Sequence, residues 1–262
     1  MSNITSQDYW NDRGMNSYWY KGETFYTVTP IPLYYRRRVL LLELLEPLVV
    51  DNNVKDICDF GCGDGWYIQY FGRLCPSKKY YGIDISASML ERAKQTAPFA
   101  ELHVSQTGIN VENLFDLIFA IAVFAHIKDS LVHTLFMNIY DHLKSGARFI
   151  LFEQTGPKRR EGETWCRRTT QEYVRYAKNA GFKVEQRRLI AFPAHRFFEK
   201  RIAPYFTRFF CNGSNEHKCS LNANKSYFFK LMSTIALYCT IRPLKTDNGD
   251  IEGNTLYILK KL

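Results

Sequence analysis

Residues 56–71 read DICDFGCGDGWYIQYF: a short apolar stretch, glycines at 61, 63 and 65, then an amphipathic run. Glycine surrenders more backbone freedom on folding than any other residue. Three of them on alternate positions therefore signal a bend whose peptide groups must stay bare. A strand ending near Asp59, the bend, and a helix opening near Gly65 together form a cradle. A ligand can approach the backbone closely there, and the start of the helix offers unpaired N–H groups. The dinucleotide pattern would be G-x-G-x-x-G around a pyrophosphate. This chain instead carries D-x-G-x-G-x-G, and the acid before the first glycine disfavours phosphate and suits a ligand with an ammonium group.

Around the bend the chain alternates. Strands are predicted at 55–60, 79–84, 100–105, 115–121 and 147–153, and helices at 65–74, 88–96 and 129–143. Short apolar strands interleaved with amphipathic helices predict a parallel sheet covered on both faces. Before this, LYYRRRVLLLELLEPLVV reads as a helix disturbed at its end by Pro47, and Pro30 and Pro32 mark an extended lead-in. Gly146 is the expected stop of the helix before the strand GARFILFEQ. After it, TTQEYVRYAKNAGFKVEQRRLIAF predicts one more helix and strand. Two aromatic-rich helical stretches, 195–210 and 225–241, precede a closing strand, NTLYILKK.

KYYGIDIS places Asp84 at the end of the second strand, where a carboxylate can accept from ribose hydroxyls. In order and spacing, DFGCGDG, GIDIS, SASMLERAKQ, FDLIFAIAVFAHIKD and LKSGARFILFE resemble the class I S-adenosylmethionine-dependent methyltransferase family, over about residues 36 to 190. The resemblance implies an α/β fold, a seven-stranded, mostly parallel, doubly wound Rossmann-like sheet with its last strand reversed and a helical insertion before that strand. It implies S-adenosylmethionine as cofactor, with Asp59, Gly61 and Gly63 facing its methionine end beside Cys62 and Gly65. Asp84 would hold the ribose, Ile85 and Met89 would flank the adenine, and Ala120 would offer backbone to the methionine. Gln106 or Thr107 would lie at the adenine edge, where the family usually has an acid. Gln106 can still accept from the exocyclic amine through its amide oxygen.

Methyl transfer from a sulfonium is an in-line displacement in which alignment supplies much of the rate. A hydroxyl acceptor benefits from a nearby base; other acceptors need none. Three candidates for catalysis stand out. His126 lies just past the fourth strand, Glu153 ends the fifth, and His195 sits in FPAHRFF. His126 has a plain alternative as the opening of the next helix and Glu153 as a partner orienting a neighbouring arginine, while the role of His195 depends on where the cap folds. The fourth strand continues as FAIAVF, without the Asn- or Asp-Pro-Pro-aromatic run of enzymes that methylate exocyclic base amines.

The formal net charge is +9, and it is localised. Between Thr155 and Phe210 fourteen Lys and Arg face five acids, an excess equal to that of the whole chain. Arg159, Arg160, Arg167 and Arg168, with Arg36 before the first strand, are candidate clamps for a phosphate or carboxylate acceptor. The expected function is methylation, at oxygen, of a small-molecule or glycan-type anionic acceptor. An RNA methyltransferase and a cofactor-binding regulatory protein without activity are the rivals. No appended RNA-binding module is visible, which disfavours nucleic acid. Seven scattered cysteines without a C-x-x-C pair read as reduced thiols in a cytoplasmic setting and argue against zinc. The run 231–241 is too short to span a bilayer, which leaves peripheral membrane contact open. The expected organisation is an aromatic segment and cap helix (1–52), a cofactor-binding core (53–192), a helical lid (193–254) and the closing strand (255–262).

Overall fold

A computed structural model of the chain describes residues 7–15, 31–190 and 252–262, with side chains at 7–12, 39–190 and 252–262. The described residues fall into two compact units. One holds 7–15, 46–190 and 252–262; the other holds 31–45. The stretches 195–210 and 225–241, His195 and the side chain of Arg36 lie outside the described residues.

The first unit is built on one sheet. Its strands are β1 (Asp56–Phe60), β2 (Lys79–Asp84), β3 (Glu101–Val104), β4 (Phe115–Ile121), β5 (Leu143–Thr155), β8 (Phe182–Ile190) and β9 (Gly253–Lys261). Two further strands, β6 (Arg160–Glu161) and β7 (Cys166–Arg167), pair as a small separate hairpin that the sequence reading did not anticipate. The order is β3-β2-β1-β4-β5-β9-β8, with β9 antiparallel to both of its neighbours. This is the expected seven-stranded sheet with its last strand reversed. The order reverses at β1, which pairs with β2 on one side and β4 on the other. A crevice therefore opens at the carboxyl ends of β1 and β4.

The helices are α1 (Gln7–Met15), α2 (Ile31–Val49), α3 (Trp66–Leu74), α4 (Ala87–Thr96), α5 (Asp129–Asp141) and α6 (Thr170–Asn179). Apolar strands meet aromatic helix faces in the core. Phe136 of α5 packs edge-on against Phe124 at 5.0 Å and against Phe149 of β5 at 5.8 Å. Helix α6 is opened by a capping box, in which Thr169 and Glu172 satisfy each other's backbone N–H.

Two local readings are corrected. The stretch around Pro32 is helical from Ile31 on, because a proline in the first turn of a helix forgoes an N–H that would have no partner anyway. Gly146 does not end a helix: α5 stops at Asp141, and Gly146 lies within β5 at φ +76°. Between the pairs Phe115–Leu143 and Leu117–Arg148 the register slips. The extra residues form a bulge, which brings Lys144 to 2.8 Å from Asp56 and 3.0 Å from Asp116.

Candidate functional site

The bend after β1 is tied to the end of β2. The Ile83 carbonyl accepts from the N–H of Gly61 at 2.7 Å and of Cys62 at 3.1 Å. The N–H of Gly63 donates to Asp84 Oδ2 at 2.8 Å, and that of Ser86 to Asp84 Oδ1, also at 2.8 Å. Gly61 has φ +80°, and a Cβ there would collide with Val123 from the loop after β4. Gly63 has φ +54° and open space around it, so its constraint is conformational. Gly65 caps α3 in the left-handed region at φ 77°.

Asp59, at the end of β1, is 2% exposed, and its Oδ2 has no hydrogen-bond partner among the described residues. Burial, reinforced by Asp84 and Asp64, pushes its carboxyl well above the ordinary range. A buried carboxyl oxygen without a donor fits an ammonium group delivered by a ligand. Asp84 is also raised by burial, although the N–H groups of Ser86 and Gly63 oppose the shift. Each Asp84 oxygen retains a lone pair for a ribose hydroxyl. The residues present therefore fit S-adenosylmethionine: a donorless acid, a bare bend and a second acid at the tip of β2.

The other predicted donor-side residues surround this cradle. Cys62 is buried, and burial raises its thiol well above the usual value. Ile85 is half-buried, and Met89 is buried in the first turn of α4, its N–H donating to the Ser86 hydroxyl at 3.2 Å. Ala120 is fully buried on β4. Thr107 and Gln106 are exposed after β3, and the Gln106 amide donates to Gln7 of α1. That helix meets three loops at the crevice. The Ser88 hydroxyl donates to the Asn11 carbonyl at 2.8 Å, and Ser86 Oγ lies 3.1 Å from the Trp10 carbonyl. The Trp10 ring stands edge-on to His126 at 5.0 Å.

The expected acceptor side is bounded by the loop after β4. Ala122 has φ 58° and donates to the Phe152 carbonyl at 2.8 Å, turning the chain into a short 3-10 turn, Phe124–His126. Glu153, fully buried at the end of β5, accepts from the N–H of Phe124 at 2.6 Å and of Ala125 at 3.3 Å. Burial raises its carboxyl to about 7, against the pull of these N–H groups. The imidazole Nδ1 of His126 lies 2.7 Å from the Thr164 carbonyl, at the tip of the β6–β7 hairpin. A carbonyl can only accept, so Nδ1 carries the proton and Nε2 the lone pair of the neutral ring.

Of the five arginines proposed for the acceptor, three are engaged by the chain itself, and the side chain of Arg36 lies outside the described residues. Arg168 is fully buried and donates to the carbonyls of Phe124 at 2.5 Å and Ile127 at 2.6 Å, and to Asp129. Arg159 bridges Asp129, Glu161 and Glu172. Arg167 is buried and paired with Glu252. Arg160 is exposed on the hairpin, beside exposed Lys158. Burial would raise the Asp129 carboxyl, but the bonds from Arg168 and Arg159 outweigh it and hold it below the usual range. Trp10, Ser86, Val123, Asp129 and Thr164 were missed. Only Ser86 carried a local signal, a serine directly before a helical run.

Residues 58–149, from within β1 to within β5, match the model of a family described as "Methyltransferase domain". That stretch is similar to a methyltransferase domain and sits in a sheet of the class I methyltransferase type. Around it the curated relatives match in part. A trans-aconitate 2-methyltransferase of Afipia carboxidovorans is 34% identical over 95 residues, 35% of this chain and 36% of that protein. A malonyl-[acyl-carrier protein] O-methyltransferase of Ilyobacter polytropus is 34% identical over 107 residues, 39% of each. The chain thus spans well under half the length of these two relatives. Among solved structures, the StiE O-MT matches with TM-score 0.59 and 19% identity, covering 86% of this chain and 74% of that one. An O-methyltransferase of a Brevibacillus brevis trans-AT PKS multienzyme, in complex with S-adenosyl-L-homocysteine, matches with TM-score 0.57 and 18% identity, covering 90% and 80%. At these identities the structural likeness concerns the methyltransferase fold.

Proposed function

We propose that this protein transfers a methyl group from S-adenosylmethionine to an oxygen of a small anionic acceptor. The observation that carries the reading is the buried, donorless carboxyl oxygen of Asp59 beside the bare Gly61–Gly65 bend, with Asp84 at the tip of the neighbouring strand. Asp59 would meet the ammonium end of the donor, Asp84 the ribose, and Met89 and Ile85 the adenine. When bound, the donor supplies an electrophilic methyl on a positively charged sulfur.

The chain's own contribution is alignment and exclusion of water. The loop after β4 presents His126 at the crevice with its lone pair on Nε2, suited to taking the proton of a hydroxyl acceptor. A carboxylate acceptor is already ionised at neutral pH and needs only to be held in line. Two relatives named for trans-aconitate and malonyl acceptors, and neighbours titled O-methyltransferases, support oxygen as the methylated atom. With Arg159, Arg167 and Arg168 committed internally, Arg160 and Lys158 are the hairpin cations that, among the described residues, would meet an anionic acceptor.

Calorimetry with S-adenosylhomocysteine tests the donor half: one saturable site is expected, and no heat on folded protein rejects the reading. Methyl-labelled donor, offered with a panel of small carboxylic and hydroxy acids, tests the acceptor half. An alkali-labile label marks a methyl ester and a stable one marks an ether; label on nitrogen or carbon products alone overturns the choice of oxygen.

A further inference from the structure

Phe124 is held by opposite charges on the two sides of one residue. Its N–H donates to the buried carboxylate of Glu153 at 2.6 Å, while its carbonyl accepts from the buried guanidinium of Arg168 at 2.5 Å. The same two side chains extend the grip along the loop. Glu153 also takes the N–H of Ala125, and Arg168 also takes the Ile127 carbonyl and the Asp129 carboxylate at the start of α5. Both side chains are 0% exposed. Unpaired, either charge would be costly at this depth, and each is matched here by several hydrogen bonds.

The gripped loop touches both halves of the site. At one end Val123 fills the space left by the absent side chain of Gly61, in the bend that would carry the donor. At the other, His126 is fixed through Nδ1 to the Thr164 carbonyl, on the hairpin that Arg168 follows directly in sequence. Each oxygen of Glu153 and each guanidinium nitrogen of Arg168 is already bonded within the chain, and both side chains are buried. The loop turns through Ala122 in the left-handed region, a conformation that a residue with a side chain holds only when its surroundings impose it.

We propose that Glu153 and Arg168 are positioning residues of the transfer site. By clamping Phe124 from its N–H and its carbonyl, they hold Val123 against Gly61 and keep the His126 ring in the Nδ1–H form that leaves Nε2 as the acceptor of a proton. The proposal rests on the reading of a methyl-transfer site, but its main readout does not need turnover.

The test is long-range nitrogen–proton NMR of the imidazoles of the full chain, with the His126 signal assigned by its loss in His126→Gln. With the ring neutral, the wild type is expected to show the proton on Nδ1 and the lone pair on Nε2. Glu153→Gln and Arg168→Met should each lose that signature, moving His126 to the other tautomer or to a mixture. Arg168→Lys, which restores one donor and the charge facing Asp129, should recover it in part. Unchanged His126 signals in both folded variants overturn the proposal, as does an Nε2–H signature in the wild type. Should the variants fail to fold, amide exchange in the wild type reads the same clamp. The N–H groups of Phe124 and Ala125 should exchange as slowly as those of β4, and fast exchange refutes it. Calorimetry with S-adenosylhomocysteine on the wild type separates the two ideas, because loss of binding there sinks the functional reading while the tautomer result stands alone.

Discussion

Val123 occupies the volume that a side chain on Gly61 would need. The loop that follows β4 is thereby keyed into the bend that follows β1, so the proposed donor cradle and the proposed acceptor face share one steric contact. Gly61→Ala must displace Val123 and also hold an alanine at φ +80°, a conformation costing about 1–2 kcal/mol by itself. The expected outcome is a lowered melting temperature and a loss of S-adenosylhomocysteine affinity of about tenfold or more by calorimetry. Gly63→Ala meets no neighbour within 4 Å and should cost less on both measures. Equal effects from the two substitutions contradict the keyed contact.

Asp59 illustrates a site maintained at the expense of stability. Its carboxyl is buried, raised by burial and by Asp84 and Asp64, and lacks a partner for Oδ2. A raised carboxyl contributes stability at low pH that is lost as pH rises above its unfolded value. Asp59→Asn removes the cost of ionising a carboxyl at that depth, although its amide is left as short of partners as the acid it replaces. At pH 8 the ligand-free variant should therefore unfold at higher denaturant than the wild type while binding S-adenosylhomocysteine more weakly. A variant that is destabilised and still binds normally contradicts the assignment.

The parts legible in the sequence were those with a local signature. Strand–glycine–helix punctuation located β1, the bend and α3, and the acid at the end of β2 stood out at Asp84. The parts that were not legible depend on partners far along the chain. Thr164 reaches His126 across 38 positions, Arg168 reaches Phe124 across 44, and Ser88 reaches Asn11 across 77. A charge count placed Arg159, Arg167 and Arg168 beside an acceptor, yet composition carries no information about which charges turn inward. Asp129, Glu172 and Glu252 decide that, and only the fold brings them close. The bulge around Gly146 was hidden for a similar reason, since a glycine after a helical run reads as a cap until the register of β4 and β5 is known.

Ser86 does two things at once. Its hydroxyl accepts from the Met89 N–H as the cap of α4 and lies within hydrogen-bond reach of the Trp10 carbonyl and Asn11 in α1. Ser88 donates to the Asn11 carbonyl without capping anything. Ser88→Ala should therefore loosen α1 alone, seen as faster amide exchange over residues 7–15 with little change in global stability. Ser86→Ala should loosen α1 and also cost about 1 kcal/mol in denaturant unfolding through the lost cap. If α1 exchanges equally fast in the wild type and both variants, these serines do not hold it.

Glu153 gives the clamp a pH signature. Burial lifts its carboxyl from the ordinary 4.5 to about 7 in the folded chain. Between those two values the unfolded chain has released a proton that the folded chain retains. The contribution to stability is thus fully present below pH 4.5 and is lost as pH rises to about 7. The slope cannot exceed about 1.4 kcal/mol per pH unit for one group. Glu153→Gln has nothing to titrate there, so subtracting its stability from that of the wild type isolates this carboxyl from Asp59, which shifts in the same direction. Denaturant unfolding from pH 4.5 to 8 should show the difference falling with pH and flattening above about 7. A difference that stays flat across that range means that Glu153 titrates normally, and that the N–H groups of Phe124 and Ala125 outweigh its burial.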